Sequence, residues 1–139
     1  MSQEAAELAK RDKYGIISKN IPLISNLSLL ENIEVVIYYH NGNRSALDGR
    51  IRAVEMVEKM QKREPNISNE ERFCAMHLRA ISYSKSILFL RPFSLLTDHK
   101  DILFADKIFD ATAEAIDEIT IFDFEWNKQR YGDRYVQKS

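Results

Sequence analysis

Arg72 and His77, in the segment ISNEERFCAMHLRAISYSKSILFL, are the side chains of this sequence best equipped for chemistry. An arginine can hold a phosphate or a developing negative charge through its planar fork, and a histidine can carry a proton near neutral pH. Such a pair could cleave a phosphodiester without a metal. A second candidate is acidic. Asp106, Asp110, Glu114 and Asp117 recur at spacings that align carboxylates along one helix face. That face could offer oxygen ligands to a cation such as Mg²⁺, or a negative surface to a basic partner such as residues 44–63, which contain Arg44 and Arg52.

The spacing of Arg72 and His77, R-x4-H, resembles the motif of the HEPN ribonucleases. The resemblance implies a small all-helical domain that works as a dimer, with Arg72 and His77 of both copies lining one cleft and cleaving RNA. Phe73 departs from the pattern, since a polar residue often follows that arginine. Helix geometry supports a plainer reading. Five residues place the two side chains roughly 140° apart, with His77 inside the apolar arc and Arg72 at its polar edge beside Arg79. A histidine aimed into a core is a neutral, hydrogen-bonded packing residue. A lone histidine on an apolar helix face could also ligate haem, a more remote alternative.

The wider sequence excludes several classes. Its 139 residues fit one domain, and 45% hydrophobic with 29% charged residues is globular composition. Cys74 is the only cysteine, so no internal disulfide or Cys-rich zinc site is expected, and the setting is expected to be reducing and cytoplasmic. No apolar run is long enough to span a bilayer. There is no Gly-rich phosphate loop and no His-Glu-x-x-His, and neither a cofactor nor a metal is expected. Net charge is −1, with bases in excess over residues 44–91 and acids over 98–126, which argues against nucleic-acid binding and for pairing within the fold or across a homodimer.

Only four glycines and three prolines punctuate the chain, which favours long helices. A short polar helix is expected over residues 3–13. Residues 27–40 combine helical spacing of Leu27, Leu30, Ile33 and Ile37 with β-favouring residues, and are read as helix capped by Ser25 or Asn26. RSALDGRIRAVEMVEKMQKR has acid-first pairs four apart and reads as the next helix, with Asn43 before it as cap; its Arg50 points into the apolar arc and must snorkel or meet an acid. Ser68 and Glu71 form a capping box for a central helix running to Arg91-Pro92. A last long helix is expected over residues 98–128, with ITIFDF as its end or a bend.

These elements lead to an all-α expectation: an antiparallel bundle of four main helices in a single domain spanning 1–139, with weakly ordered ends at 1–14 and 128–139. The expected function is that of a non-catalytic interaction protein (an adaptor, inhibitor or accessory subunit), homodimeric and cytoplasmic. It would bind an unidentified protein through Asp106, Asp110, Glu114, Asp117, Arg44 and Arg52. The HEPN-like ribonuclease is the alternative.

Overall fold

The run SILFL, expected to end the central helix, is instead a strand, Ser86–Leu90. The computed structural model describes residues 14–132 and 137–138, and they form a layered α/β structure, not an all-α bundle. The elements are β1 (Tyr14–Ile17), α1 (Leu29–Tyr39), α2 (Leu47–Ala53), α3 (Asn69–Ile81), β2 (Ser86–Leu90), α4 (Pro92–Leu95), α5 (Leu103–Ala111), β3 (Glu118–Asp123) and β4 (Gln137–Lys138). The expected helix over residues 3–13 lies outside the described residues. So does most of the expected weak order at the ends, although Glu125–Tyr131 is a 3-10 segment with Tyr131 buried.

The helical expectation failed for a physical reason. Ile87, Leu88, Phe89 and Leu90 are all buried, with Ile87 and Phe89 facing one side of the sheet and Leu88 and Leu90 the other. A parallel strand covered on both faces reads as a continuous apolar run, which periodicity cannot separate from a buried helix. α3 stops at Ile81, where the N–H of Ser82 bonds Arg79 O. Ser84 then turns the chain, its hydroxyl donating to Ser86 O and accepting from Ser86 N. The expected last helix is likewise only α5, followed by a 3-10 turn and by β3, where the β-branched residues of EITIFD prevail.

Other readings hold locally. α1 is a helix, although its N-cap is Ser28, in a capping box with Glu31. Ser68 and Glu71 make the expected capping box of α3. Asn43 caps a 3-10 turn, Arg44–Ala46, that leads into α2, but the helix expected over residues 44–63 is cut short: the chain leaves α-helical geometry after Ala53, with Glu55 at φ +60°, and only a 3-10 turn, Val57–Lys59, follows.

The sheet order is β1-β2-β3-β4 and every pairing is parallel. Gly15, Ile87 and Ile119 are in register, as are Ile17, Phe89 and Ile121. Parallel crossovers are right-handed almost without exception, so an order that advances in one direction places its connecting helices on one face. The packing agrees: Ile17, Ile87, Phe89 and Ile121 join the large core with α1, α3 and α5, while Leu88, Leu90 and Phe122 form a separate cluster. Phe73 of α3 stacks on Phe89, 5.3 Å between ring centroids, and meets Phe109 of α5 edge-on.

α3 lies so close to β1 that Gly15 has no room for a side chain. A Cβ there would stand 2.6 Å from Ala80 O and 3.0 Å from Ala80 Cβ. Gly15→Ala must therefore push α3 off the sheet, at a cost of about 1–3 kcal/mol. Urea unfolding checks this, and an unchanged midpoint would contradict the close approach.

Candidate functional site

Parallel sheets with crossover helices bind ligands outside the carboxyl ends of their strands. Here those ends are Ile17, Leu90 and Asp123, and the chain just beyond them brings charged and aromatic groups together. A cleft of about 240 Å³ is lined by Ser18, Lys19, Asn20, Leu90, Arg91 and Ser94. Ser18 is buried, and its hydroxyl accepts from Asn20 N at 3.1 Å. Among the described residues, neither Lys19 nor Arg91 makes an ion pair.

Arg91 sits at the junction of β2 and α4 with φ +45° and ψ +66°, left-handed backbone that is costly for a non-glycine residue. It is held there: Arg91 N donates to Phe122 O at 2.7 Å, and both Ser94 N and Ser94 Oγ donate to Arg91 O. Its guanidinium lies 4.2 Å above the Phe124 ring. The loop carrying Lys19 is fastened from below by buried polar groups. Arg79 of α3 donates from Nη1 to Pro22 O at 3.0 Å and from Nη2 to Ile21 O. Asn32 of α1 accepts from Ile24 N at 2.7 Å and donates to Ile24 O and Ser28 O. Burial lowers the Arg79 pKa, so these carbonyl contacts offset part of a real desolvation cost.

At the end of β3, Asp123 is buried and fully engaged. It accepts from Phe124 N at 2.7 Å, from Asn127 Nδ2 at 3.1 Å and from the Tyr131 hydroxyl. Burial, and then that carboxylate, push the Tyr131 phenol well above its usual range.

The residues singled out in the sequence do not form one site. His77 is fully buried between Phe73 and Phe109, and its Nε2 is 2.8 Å from Thr112 Oγ1. Thr112 Oγ1 donates to Ile108 O, which makes Nε2 the donor to Thr112; Nδ1 has no partner. Burial, with Arg50 adding repulsion, pushes its pKa down to about 3. Arg72 points elsewhere and holds Glu64 in a two-toothed pair at 2.7 Å, keeping that carboxyl below its ordinary value. Cys74 is buried and its thiol is pushed up to about 12, by burial first and then by Glu70 and Glu71.

The acidic stripe is broken by the fold. Asp106 and Asp110 are on α5, the first buried and the second exposed; Glu114 is on a 3-10 turn, and Asp117 precedes β3. Arg50 Nε lies 3.4 Å from the exposed Glu114, an ion pair that joins the basic and acidic segments within one chain. Arg44 pairs with Glu34 at 2.8 Å and Asp48 at 3.4 Å, whereas Arg52 is exposed. Lys19, Arg91, Phe124 and Trp126 carried no motif in the sequence; the available signal was a charge directly after an apolar run, at Leu90-Arg91.

The described residues contain no group of three or more His, Cys, Asp or Glu able to hold a metal. None of the four glycines belongs to a Gly-x-x-x-x-Gly-Lys loop. No helix among the described residues is long and apolar enough to cross a membrane.

No family model matches the chain, and no curated protein does. Solved structures do. A bacterial ABC transporter cassette, MJ0796, in dimeric form, superposes with a TM-score of 0.60 at 20% identity over 99% of this chain and 64% of that one. The dimeric post-hydrolysis state of the ATP-binding cassette MJ0796, bound to ADP and Pi, superposes with a TM-score of 0.60 at 20% identity over 91% of this chain and 59% of that one. The chain thus spans less than two thirds of the length of these cassettes, and the likeness establishes the fold.

That fold overturns the functional expectations. The non-catalytic adaptor, inhibitor or accessory subunit rested on a helical bundle with unpartnered amphipathic faces, and those faces pack on a cassette-like sheet. The HEPN-like ribonuclease loses both its helical scaffold and its histidine, which is sealed in the core. Haem ligation fails because His77 Nε2 is committed to Thr112 among packed rings.

The depressed pKa of His77 makes a prediction about stability. The folded value lies below the unfolded value near 6.5, so the unfolded chain binds the extra proton first, and stability present above pH 6.5 is lost as pH falls towards 3. Between pH 6.5 and 5, before the carboxylates titrate, stability should fall with a slope approaching about 1.4 kcal/mol per pH unit. His77→Leu should flatten that slope in urea titrations, and an equal slope in both proteins would contradict the buried neutral imidazole.

Proposed function

We propose that the chain is an ATP-binding-cassette-like domain that binds the phosphates of a nucleotide at the carboxyl edge of its sheet, and does so as a homodimer. The observation that carries this is the pair of cations, Lys19 and Arg91, that have no carboxylate partner among the described residues and line one cleft where β1 and β2 end. Placing two like charges around one cleft costs energy that a bound anion returns. Ser18, Asn20 and Ser94 supply hydrogen-bonding groups beside them. The ligand class is supported by the similar cassette bound to ADP and Pi, and the dimer by the dimeric form of both similar structures.

Side-chain cations here take the part that a glycine-rich loop of backbone N–H groups plays in P-loop proteins. Arg91 lines the cleft from a strained left-handed backbone, with its guanidinium resting on the Phe124 ring.

Calorimetric titration with ATP tests the reading. Wild type should bind, and Lys19→Ala should weaken binding about tenfold. Light scattering of the same sample should give the mass of two chains. Unaltered ATP affinity in Lys19→Ala would contradict the site.

A further inference from the structure

A second strained charged residue lies away from the carboxyl edge. α2 ends in a Schellman turn, in which Met56 N donates to Ile51 O and Glu55 N donates to Arg52 O, both at 3.0 Å. Glycine is the usual residue at the left-handed position of that turn, yet Glu55 occupies it at φ +60°. The Glu55 side chain is exposed, so core packing does not offset the strain. Strain held at an exposed charged residue is a mark of a site.

Glu55 lines a cleft of about 220 Å³ where α2, α3 and α5 meet. Its floor is apolar, made by the buried Met56, Cys74 and Ile108. The Cys74 thiol stays protonated there, a packing surface and not a nucleophile. Part of the charge on the rim is engaged: Lys59 lies 3.6 Å from Glu71, and His99 Nε2 lies 2.8 Å from Glu70. Glu55 and Lys107 also line the cleft, and neither makes an ion pair among the described residues.

An acid following α2 and a base on α5, above an apolar floor, complement a zwitterion with an apolar tail. The cleft is smaller than the roughly 300–1,000 Å³ of pockets that hold drug-sized ligands, so its occupant is small. The Met56 and Cys74 sulfurs are soft and polarizable, which suits an aliphatic or thioether chain. We propose that this cleft binds a free α-amino acid with an aliphatic or thioether side chain: the ammonium on Glu55, the carboxylate on Lys107, and the tail against Met56, Cys74 and Ile108. The site does not rest on the phosphate reading.

L-Leucine, titrated into the wild-type chain and followed by amide chemical shifts, is the test. It should move Glu55, Cys74 and Lys107 and leave Arg91 in place. Isoamylamine, which lacks the carboxylate, and isocaproate, which lacks the ammonium, should each bind about tenfold more weakly than leucine. Glu55→Gly should raise Tm by about 2–4 °C, because glycine relieves the left-handed backbone, and yet weaken leucine about tenfold. Glu55→Gln and Lys107→Ala should weaken leucine by a similar factor. No shifts with millimolar leucine, isocaproate binding as tightly as leucine, or wild-type leucine affinity in Glu55→Gln or Lys107→Ala would overturn the site.

Discussion

The arrangement of the molecule depends on β2 being covered on both faces. Ile87 and Phe89 close against α3 and α5, while Leu88 and Leu90 pack with Phe122 on the other side. A strand so placed must be paired on both edges, because no water is left to satisfy its backbone. β1 and β3 provide that pairing, both parallel to it. Three parallel strands in turn set their carboxyl ends side by side, and Lys19, Arg91 and Phe124 meet because their strands end together.

The helices do more than cover the sheet. α3 sends Arg79 under the loop after β1, α1 sends Asn32 into the same loop, and α3 presses on β1 at Gly15. The polar residues buried by this packing are satisfied mostly by main-chain carbonyls and amides, which fix loops without adding charge to the site. His77 belongs to the same layer: it packs α3 against α5 and holds Thr112, where α5 gives way to the turn leading into β3.

Much of the helical layer was legible in the sequence. Ser68 with Glu71 announces the start of α3, and Leu30, Ile33 and Ile37 mark α1, because caps and periodicity are local properties. The sheet was not legible in the same way. SILFL and ITIFD are buried by partners distant in sequence, so their apolar runs extend the wheel of the neighbouring helices; YGII is too short to show a period. The candidate chemistry followed the error. Arg72 and His77 look adjacent only along one helix, whereas Lys19, Arg91 and Phe124 come together only once strands Tyr14–Ile17, Ser86–Leu90 and Glu118–Asp123 lie in parallel.

The central claim is that the carboxyl edge is where a nucleotide binds. Amide chemical shifts recorded during an ATP titration test it most directly. The account predicts the largest changes at Ser18–Asn20, Arg91–Ser94 and Asp123–Trp126. Changes concentrated instead around the cleft of Met56, Lys59, Cys74 and Lys107 between α2, α3 and α5, or no changes at all, would contradict it.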